Sequence, residues 1–460
     1  MNSVKVQNWK RSITSYPEVV VRPTTVEEIA EILRDKERYP SPVRAIGSNH
    51  STTRCGTADG GTVVDMTGLD RIGEINRPLD DEDECTVTAQ AGALYIDVAE
   101  VLQRHGLQFY VNVELGNLSI GSAACGGTKD ASMPGEYGQV ASYVTGMKLV
   151  LPSGELLQVT TDDPELLRLM RSSYGLAGIV YEATFKVKPL KAMAVDHVTY
   201  EIDDFVERLP ELIDRGESMM FYLMPFQDKI IVEYRHYTDK EPSGEKDWLW
   251  RFRNFTWKRF APGYGNLLTR FVPVKSLRYG LIDAFNYVLQ KGIDRFVLDR
   301  DTIATDQIIR YPPRAGFSAY TFSIWAFPEE EYPRIVREYF DLVKNHYRET
   351  GYRCNMLNVA YRINQDASSL FSYSSDGNVI TLDPVSTGDP GWNRLLDRYN
   401  EFCSQNGGVP LFNQTWGIKP EQARRAFGEK LDRFEEFRTH YDPENRLLND
   451  YFRRMLEAGD

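Results

Sequence analysis

Short runs of glycine, alanine and hydroxyl residues set directly after apolar strands constrain the fold of this chain more than any other feature. Val43-Arg44-Ala45-Ile46 reads as a strand, and it runs into Gly47-Ser48-Asn49-His50-Ser51. A turn of small residues lets successive backbone N–H groups converge on phosphate oxygens. The same residues also suit a surface loop with an incidental histidine. A second run, Gly116-Asn117-Leu118-Ser119-Ile120-Gly121-Ser122-Ala123-Ala124-Cys125-Gly126-Gly127-Thr128, places four glycines and two alanines in thirteen residues. It can press backbone against a flat, extended cofactor, or form a packing seam between helix and sheet. A third, Tyr174-Gly175-Leu176-Ala177-Gly178-Ile179-Val180, follows a helix opened by Asp163-Pro164, with Asp as N-cap and Pro at the first helical position.

Around these runs the first 190 residues alternate strands (Val19 to Val21, Thr62 to Met66, Thr86 to Ala91) with helices (to Leu33 after Thr24-Thr25, and Tyr95 to His105). Hydroxyl caps followed by Glu27 and Glu28 suit the start of the first helix. Val144 to Leu151 and Leu156 to Thr160 flank a Pro152-Ser153-Gly154 turn, so a mixed α+β domain is expected. From 191 to 415 the strands lengthen, as in Met219 to Leu223, Ile230 to Tyr234, Ser318 to Trp325 and Asn355 to Arg362. Helices are expected at Phe205 to Ile213, Glu329 to His346 and Trp392 to Gln405, giving an antiparallel sheet with helices on one face that can roof a pocket. Residues 416–460 add helices and a polar ending. At 460 residues, two such domains can each bury a core.

The net charge of -12 argues against a nucleic-acid partner. The five cysteines lack CxxC spacing, which speaks for free thiols in a reducing compartment and against a metal site. No signal-peptide core and no run of about twenty apolar residues is present, so a cytoplasmic location is expected.

Three small-residue runs in this order resemble the vanillyl-alcohol oxidase superfamily of FAD-linked oxidases, nearest to its aldonolactone and alditol oxidase branch. The pyrophosphate loop of that branch reads Arg, two variable residues, Gly, any residue, Gly or Asn, His, Ser, as Arg44 to Ser51 does here. Pro23-Thr24-Thr25 is similar to the start of the family's first helix, and Gly175 to Val180 to its flavin-edge strand. The resemblance implies a PCMH-type FAD-binding domain over 1–190, a substrate-binding cap domain over 191–415, and a tail over 416–460 that returns to the first domain. It implies FAD held by Arg44, Ala45, Ile46, Gly47, Ser48, Asn49, His50 and Ser51; by Gly116, Asn117, Ser119, Gly121, Ser122, Cys125, Gly126, Gly127 and Thr128; and by Gly175, Gly178, Ile179 and Val180. Asn449 and Tyr451, in the closing Asp442-Pro443 to Tyr451 motif, complete the set.

In the family the loop histidine bonds to the 8α carbon of the flavin, and His50 stands in that place; a non-covalent contact or an N-cap role is the plainer alternative. Imidazole is the side chain best suited to capture an electrophilic ring methyl near neutral pH, and the chain has only six histidines. The second, cysteinyl link of the berberine-bridge branch would need a cysteine near Asn117. Cys125 lies eight residues further on and suits a small buried position.

On the substrate side, the family's sugar oxidases carry Glu, any residue, Arg on a roof strand, where this chain has Ala360-Tyr361-Arg362. Arg362 can hold an oxygenated substrate or offset charge on the reduced ring; an exposed ion pair is the plainer alternative. A second family signature, Gly-Gly-any-Pro followed by His-Trp-Gly-Lys, is read here over Gly407 to Lys419. The histidine is missing, Lys419 comes one place late, and Asn413 either takes the polar role or caps the next helix. With the acid absent, Tyr361 or Tyr137 is left as the general base.

One segment, Lys246 to Phe260, has no counterpart in the sugar oxidases and interleaves six aromatics with five basic residues. That pairing suits a membrane interface or a lipidic substrate, and equally a subunit contact or a packed helix. The expected activity is two-electron oxidation of a C–OH group on a small molecule, with molecular oxygen as acceptor. A flavin-dependent desaturase or double-bond reductase acting on a terpenoid or lipid is the second reading, and a FAD-binding structural protein the third. The oligomeric state is open.

Overall fold

The computed structural model describes residues 4–77, 84–242, 248–296 and 302–457, which form a mixed helix and sheet structure. Strands Val19–Val21, Thr62–Asp65 and Val43–Ile46 lie side by side in that order as a parallel sheet. Parallel neighbours need a crossover, and helix Val26–Arg34 supplies it by packing Ile29, Ile32 and Leu33 with Val43 and Val64. Its start is fixed by a capping box between Thr25 and Glu28. An antiparallel sheet follows, in the order Leu156–Thr160, Val144–Val150, Ile179–Pro189, Thr86–Gln90 and Ile72–Asn76, with Leu107–Phe109 paired to the far end of Ile179–Pro189.

An eight-stranded sheet occupies the second half of the chain, and every pairing in it is antiparallel. In strand Ser218–Met224 the side chains alternate: Met219, Phe221 and Leu223 join the core under helices Ile202–Asp214, Tyr332–Thr350 and Trp392–Gln405, while Met220, Tyr222 and Met224 join a second cluster with Tyr361. Both faces are covered, which is why this antiparallel strand reads as an unbroken apolar run. The expected strand Ser318 to Trp325 is instead two pieces in different sheets, Thr321–Phe322 and Trp325–Pro328. Helix Lys275–Phe296 was not expected from sequence periodicity: Leu277, Leu281 and Val288 are exposed while Tyr279, Ile282 and Ile293 are buried, so it has no polar face to mark it. Of the aromatic and basic segment 246–260, Lys246 and Asp247 lie outside the described residues.

The tail returns to the parallel sheet. Arg446 donates to the carbonyls of Ile32 (2.8 Å) and Leu33 (3.2 Å) at the end of the first helix, and its own carbonyl accepts the Val43 N–H. A cation on the last carbonyls of a helix satisfies groups the helix cannot pair itself. No helix among the described residues is long and apolar enough to cross a membrane.

Candidate active site

The first and second small-residue runs meet edge to edge. A Cβ on Gly47 would lie 2.1 Å from Ser119 Oγ, and one on Gly121 would lie 2.9 Å from the Ala91 Cβ. Residues Arg44 to Ser51 line one wall of the cleft between the runs; Ser119, Gly121, Ser122, Cys125 and Gly126 line another; and Gly175, Ile179 and Val180 close it. Among the described residues, the N–H groups of Ser48, Asn49, His50 and Ser51 donate to no protein acceptor. Asn49 adopts a left-handed φ of 54°, a conformation that turns neighbouring N–H groups inward in anion cradles. That cradle fits the pyrophosphate of a dinucleotide. Gly47→Ala is expected to lower the flavin absorbance per protein by more than half, because Ser119 must move; adding Ser119→Gly should recover most of it.

His50 is clamped beside the cradle. Its ring stacks on Trp9 at 5.0 Å and 20°, while Trp9 donates from Nε1 to the Pro312 carbonyl (2.8 Å) and from its backbone N–H to the Asn49 carbonyl. Burial pulls the His50 pKa down to about 4, so the imidazole is neutral at physiological pH. Arg44 is a brace: its buried guanidinium donates to the carbonyls of Cys55, Tyr174, Gly175 and Leu447, tying the loop, the turn at Tyr174-Gly175 and the tail together. Cys125 donates to the Gly121 carbonyl, and burial pushes its thiol up to about 11, so it stays protonated.

A second cavity adjoins the cleft and shares Leu115, Leu118 and Gln414 with it. Its wall holds Glu114, Lys129, Asp130, Tyr311, Tyr361 and Asp383, with Trp257 entering from the helical segment. Lys129 Nζ lies 2.7 Å from Asp383 Oδ2, each side chain 3% exposed, and 3.5 Å from the centre of the Tyr361 ring. Burial lowers the Lys129 pKa and raises that of Asp383, and each charge holds the other against that drift. Asp383 Oδ1 has no hydrogen-bond partner among the described residues. Asp130 is held by Arg235 (3.1 Å), which also grips Glu233 (2.7 Å).

A model of an FAD-binding domain matches residues 17–160, and the model of the D-arabinono-1,4-lactone oxidase family matches residues 183–455, more than half of the chain. The chain belongs to the D-arabinono-1,4-lactone oxidase family. It is therefore an FAD-linked oxidoreductase of the aldonolactone branch of the PCMH-type oxidases. An L-gulono-1,4-lactone dehydrogenase of Mycobacterium tuberculosis is 23% identical over 98% of both chains. Bovine L-gulonolactone oxidase is 25% identical, again over 98% of both. Among solved structures, cholesterol oxidase from Brevibacterium sterolicum superposes with a TM-score of 0.74 at 16% identity, covering 98% of this chain and 96% of the other. That likeness concerns the fold alone.

Several residues expected to hold the cofactor in this lactone oxidase family member lie outside the cleft wall. Gly116 is pressed against Ile308 and Ile309, and Gly178 against Val150. The Asn117 amide clamps the N–H and C=O of Tyr311, joining the two halves of the chain. Gly127 packs on Leu411, and Thr128 lines the second cavity. Asn449 donates to the carbonyls of Arg54, Cys55 and Thr57, and Tyr451 to that of Phe412, so both fasten the tail.

Of the substrate-side residues, Tyr361 lines the second cavity and Asn413 the cleft, while Arg362 and Tyr137 line neither. Arg362 is absent from the cavity wall: strand alternation sends Ala360 and Arg362 to the helix-covered face, where Arg362 pairs with Glu329 at 2.5 Å, while Val359 and Tyr361 face the cavity. Burial holds the Tyr361 phenol well above its usual range, which makes it a donor and not a base. Tyr137 is 45% exposed and outside the cavity. Asn413 does line the cleft, donating to the Gly127 carbonyl at 2.7 Å. Lys419 is the N-cap of helix Pro420–Phe427.

Sequence reasoning passed over Trp9, Glu114, Lys129, Asp130, Asp383 and Gln414. Two signals were available. Lys129 and Asp130 directly follow the second small-residue run, and Gln414 is the fourth residue after Pro410, where the family signature read without a gap has its lysine. Nothing in the sequence marks Asp383, which only the fold brings to Lys129.

Proposed function

We propose that this protein oxidises a C–OH group of an aldonolactone, with molecular oxygen as the acceptor and His50 as the covalent anchor of the flavin. The observation that carries this reading is the buried Lys129–Asp383 pair in the wall of the cavity that adjoins the cofactor cleft. FAD held in the cleft would supply the acceptor for the hydride of the C–OH carbon. Asp383 is suited to receive the hydroxyl proton, because burial raises its pKa and its Oδ1 has no partner among the described residues. Lys129 opposes that rise and offers a donor to a ring oxygen. Tyr361 and Gln414 add donors, and Trp257 gives one apolar wall. The wall is mostly apolar and aromatic, and the charged pair set into it gives a hydroxylated lactone polar partners that a hydrocarbon does not use.

The neutral, clamped His50 supports the covalent linkage, since an unprotonated imidazole is the nucleophilic form. The names of the bovine and mouse relatives, both L-gulonolactone oxidase, support oxygen as acceptor, while the mycobacterial relative is named a dehydrogenase. The comparisons lend no support to a double-bond reductase or to a structural FAD-binding protein.

Hydrogen peroxide release should be measured with L-gulono-1,4-lactone and D-arabinono-1,4-lactone beside open-chain polyols and cholesterol. Turnover on a lactone with stoichiometric peroxide is expected. Turnover confined to cholesterol overturns the substrate class, and reduction of an artificial dye without peroxide overturns oxygen as the acceptor.

A further inference from the structure

Residues 248–296 stand apart from the rest of the chain in both charge and surface. They carry nine lysines and arginines against two aspartates, a net charge of +7 inside a chain of -12, which leaves -19 on all other residues together. They also hold eleven of the seventeen large apolar side chains that are exposed among the described residues. Solvent-facing apolar residues scattered singly need no explanation, whereas a concentration of this kind marks an interaction surface.

The apolar residues are arranged in stripes. On helix Trp248–Phe255, the exposed Trp248, Phe252 and Phe255 recur at helical spacing, and on helix Lys275–Phe296 so do Leu277, Leu281 and Val288. Between the two helices runs an apolar groove of about 840 Å³, walled by Trp248, Phe252, Leu281, Phe285 and Val288. Phe260 and Phe271, 52% and 66% exposed, extend the surface along the intervening turn and helix. Exposed Arg251, Arg259, Arg270 and Lys275 are interleaved with the aromatics.

We infer that residues 248–296 dock the protein on an anionic lipid bilayer, with the aromatic stripes in the interface and the basic residues on lipid headgroups. Charge complementarity decides the occupant. A second copy meeting this face would set the exposed Arg251, Arg259, Arg270 and Lys275 against their own counterparts, whereas an anionic leaflet attracts them and repels the acidic body, which fixes the orientation. The absence of a membrane-crossing helix among the described residues makes this an interfacial contact. Trp257 belongs to the same segment and stacks on Tyr222 at 5.9 Å and 3° in the wall of the second cavity, so the docking face lies next to that cavity.

The test is cosedimentation of the full chain with sucrose-loaded vesicles of phosphatidylcholine, with and without phosphatidylserine, alongside gel filtration. Binding to the phosphatidylserine vesicles, weak binding to the neutral ones, and release by salt are expected. Arg251→Gln with Arg259→Gln should lower partitioning about 25-fold at low salt, at about fivefold per basic residue. Phe252→Ser with Val288→Ser should abolish it while circular dichroism and flavin content stay unchanged. Protein left in the supernatant with anionic vesicles overturns the inference. So does equal binding to both vesicle types, or a dimer on gel filtration that the Phe252 and Val288 changes dissociate.

Discussion

His50→Ala is expected to leave flavin in the supernatant after acid precipitation, where the unaltered protein carries its flavin into the pellet. Trp9 and the turn at Asn49 hold the ring in place, and the neighbouring N–H cradle is untouched by the change. The variant should therefore still bind FAD reversibly. The lowered pKa adds a sign that can be checked. With a pKa of about 4, His50 is unprotonated at pH 5.5, whereas an ordinary histidine would be about nine-tenths protonated there. Attachment of FAD added to apoprotein should thus run at pH 5.5 close to its pH 7.5 rate and fall only as pH approaches about 4. Attachment that halves near pH 6.5 would show an exposed histidine at work, and undiminished attachment in the alanine variant would remove His50 as the anchor.

Asp383→Asn is expected to lower kcat by roughly 10²- to 10⁴-fold, the usual contribution of a positioned base. Asparagine keeps the shape and one acceptor for Lys129, so the fold should persist. Alanine is the poorer test, because it strands a buried ammonium at a cost of about 3–5 kcal/mol. The pH dependence separates a catalytic role from a structural one. Burial raises the Asp383 pKa and Lys129 opposes that rise, so activity should be lost as pH falls through the Asp383 value. Lys129→Met removes the opposing charge and should shift this acid limb to higher pH. A Lys129 variant that loses thermal stability with its pH profile unmoved would reduce the pair to a packing element, and unchanged kcat in Asp383→Asn would remove Asp383 from the reaction.

The cofactor half was legible because its constraints are local. A backbone that must approach a neighbour or an anion admits only small residues, as at Gly47 and Gly121, and that restriction is written contiguously along the chain. The loop Arg44 to Ser51 could therefore be read as a unit, His50 included. Asn449 and Tyr451 were also recognisable as part of a returning tail, although they fasten that tail and do not line the cleft. The substrate half was less legible. A strand's facing depends on its register with its neighbours, and a shift of one residue exchanges the two faces. That is how Arg362, on the same strand as Tyr361, ends up paired with Glu329 on the far side of the sheet.

The sequence by itself determined a strand-and-helix first half built around a dinucleotide cradle, the family, and the histidine beside the cradle, because glycine placement and strand-to-turn order are properties of contiguous residues. Tertiary structure alone decided which polar groups meet in the second cavity. Lys129, after helix Ile120–Cys125, and Asp383, just past strand Val379–Leu382, are brought to 2.7 Å by the packing of the two halves of the chain, and a contact between residues so distant along the chain leaves no periodic trace in either segment.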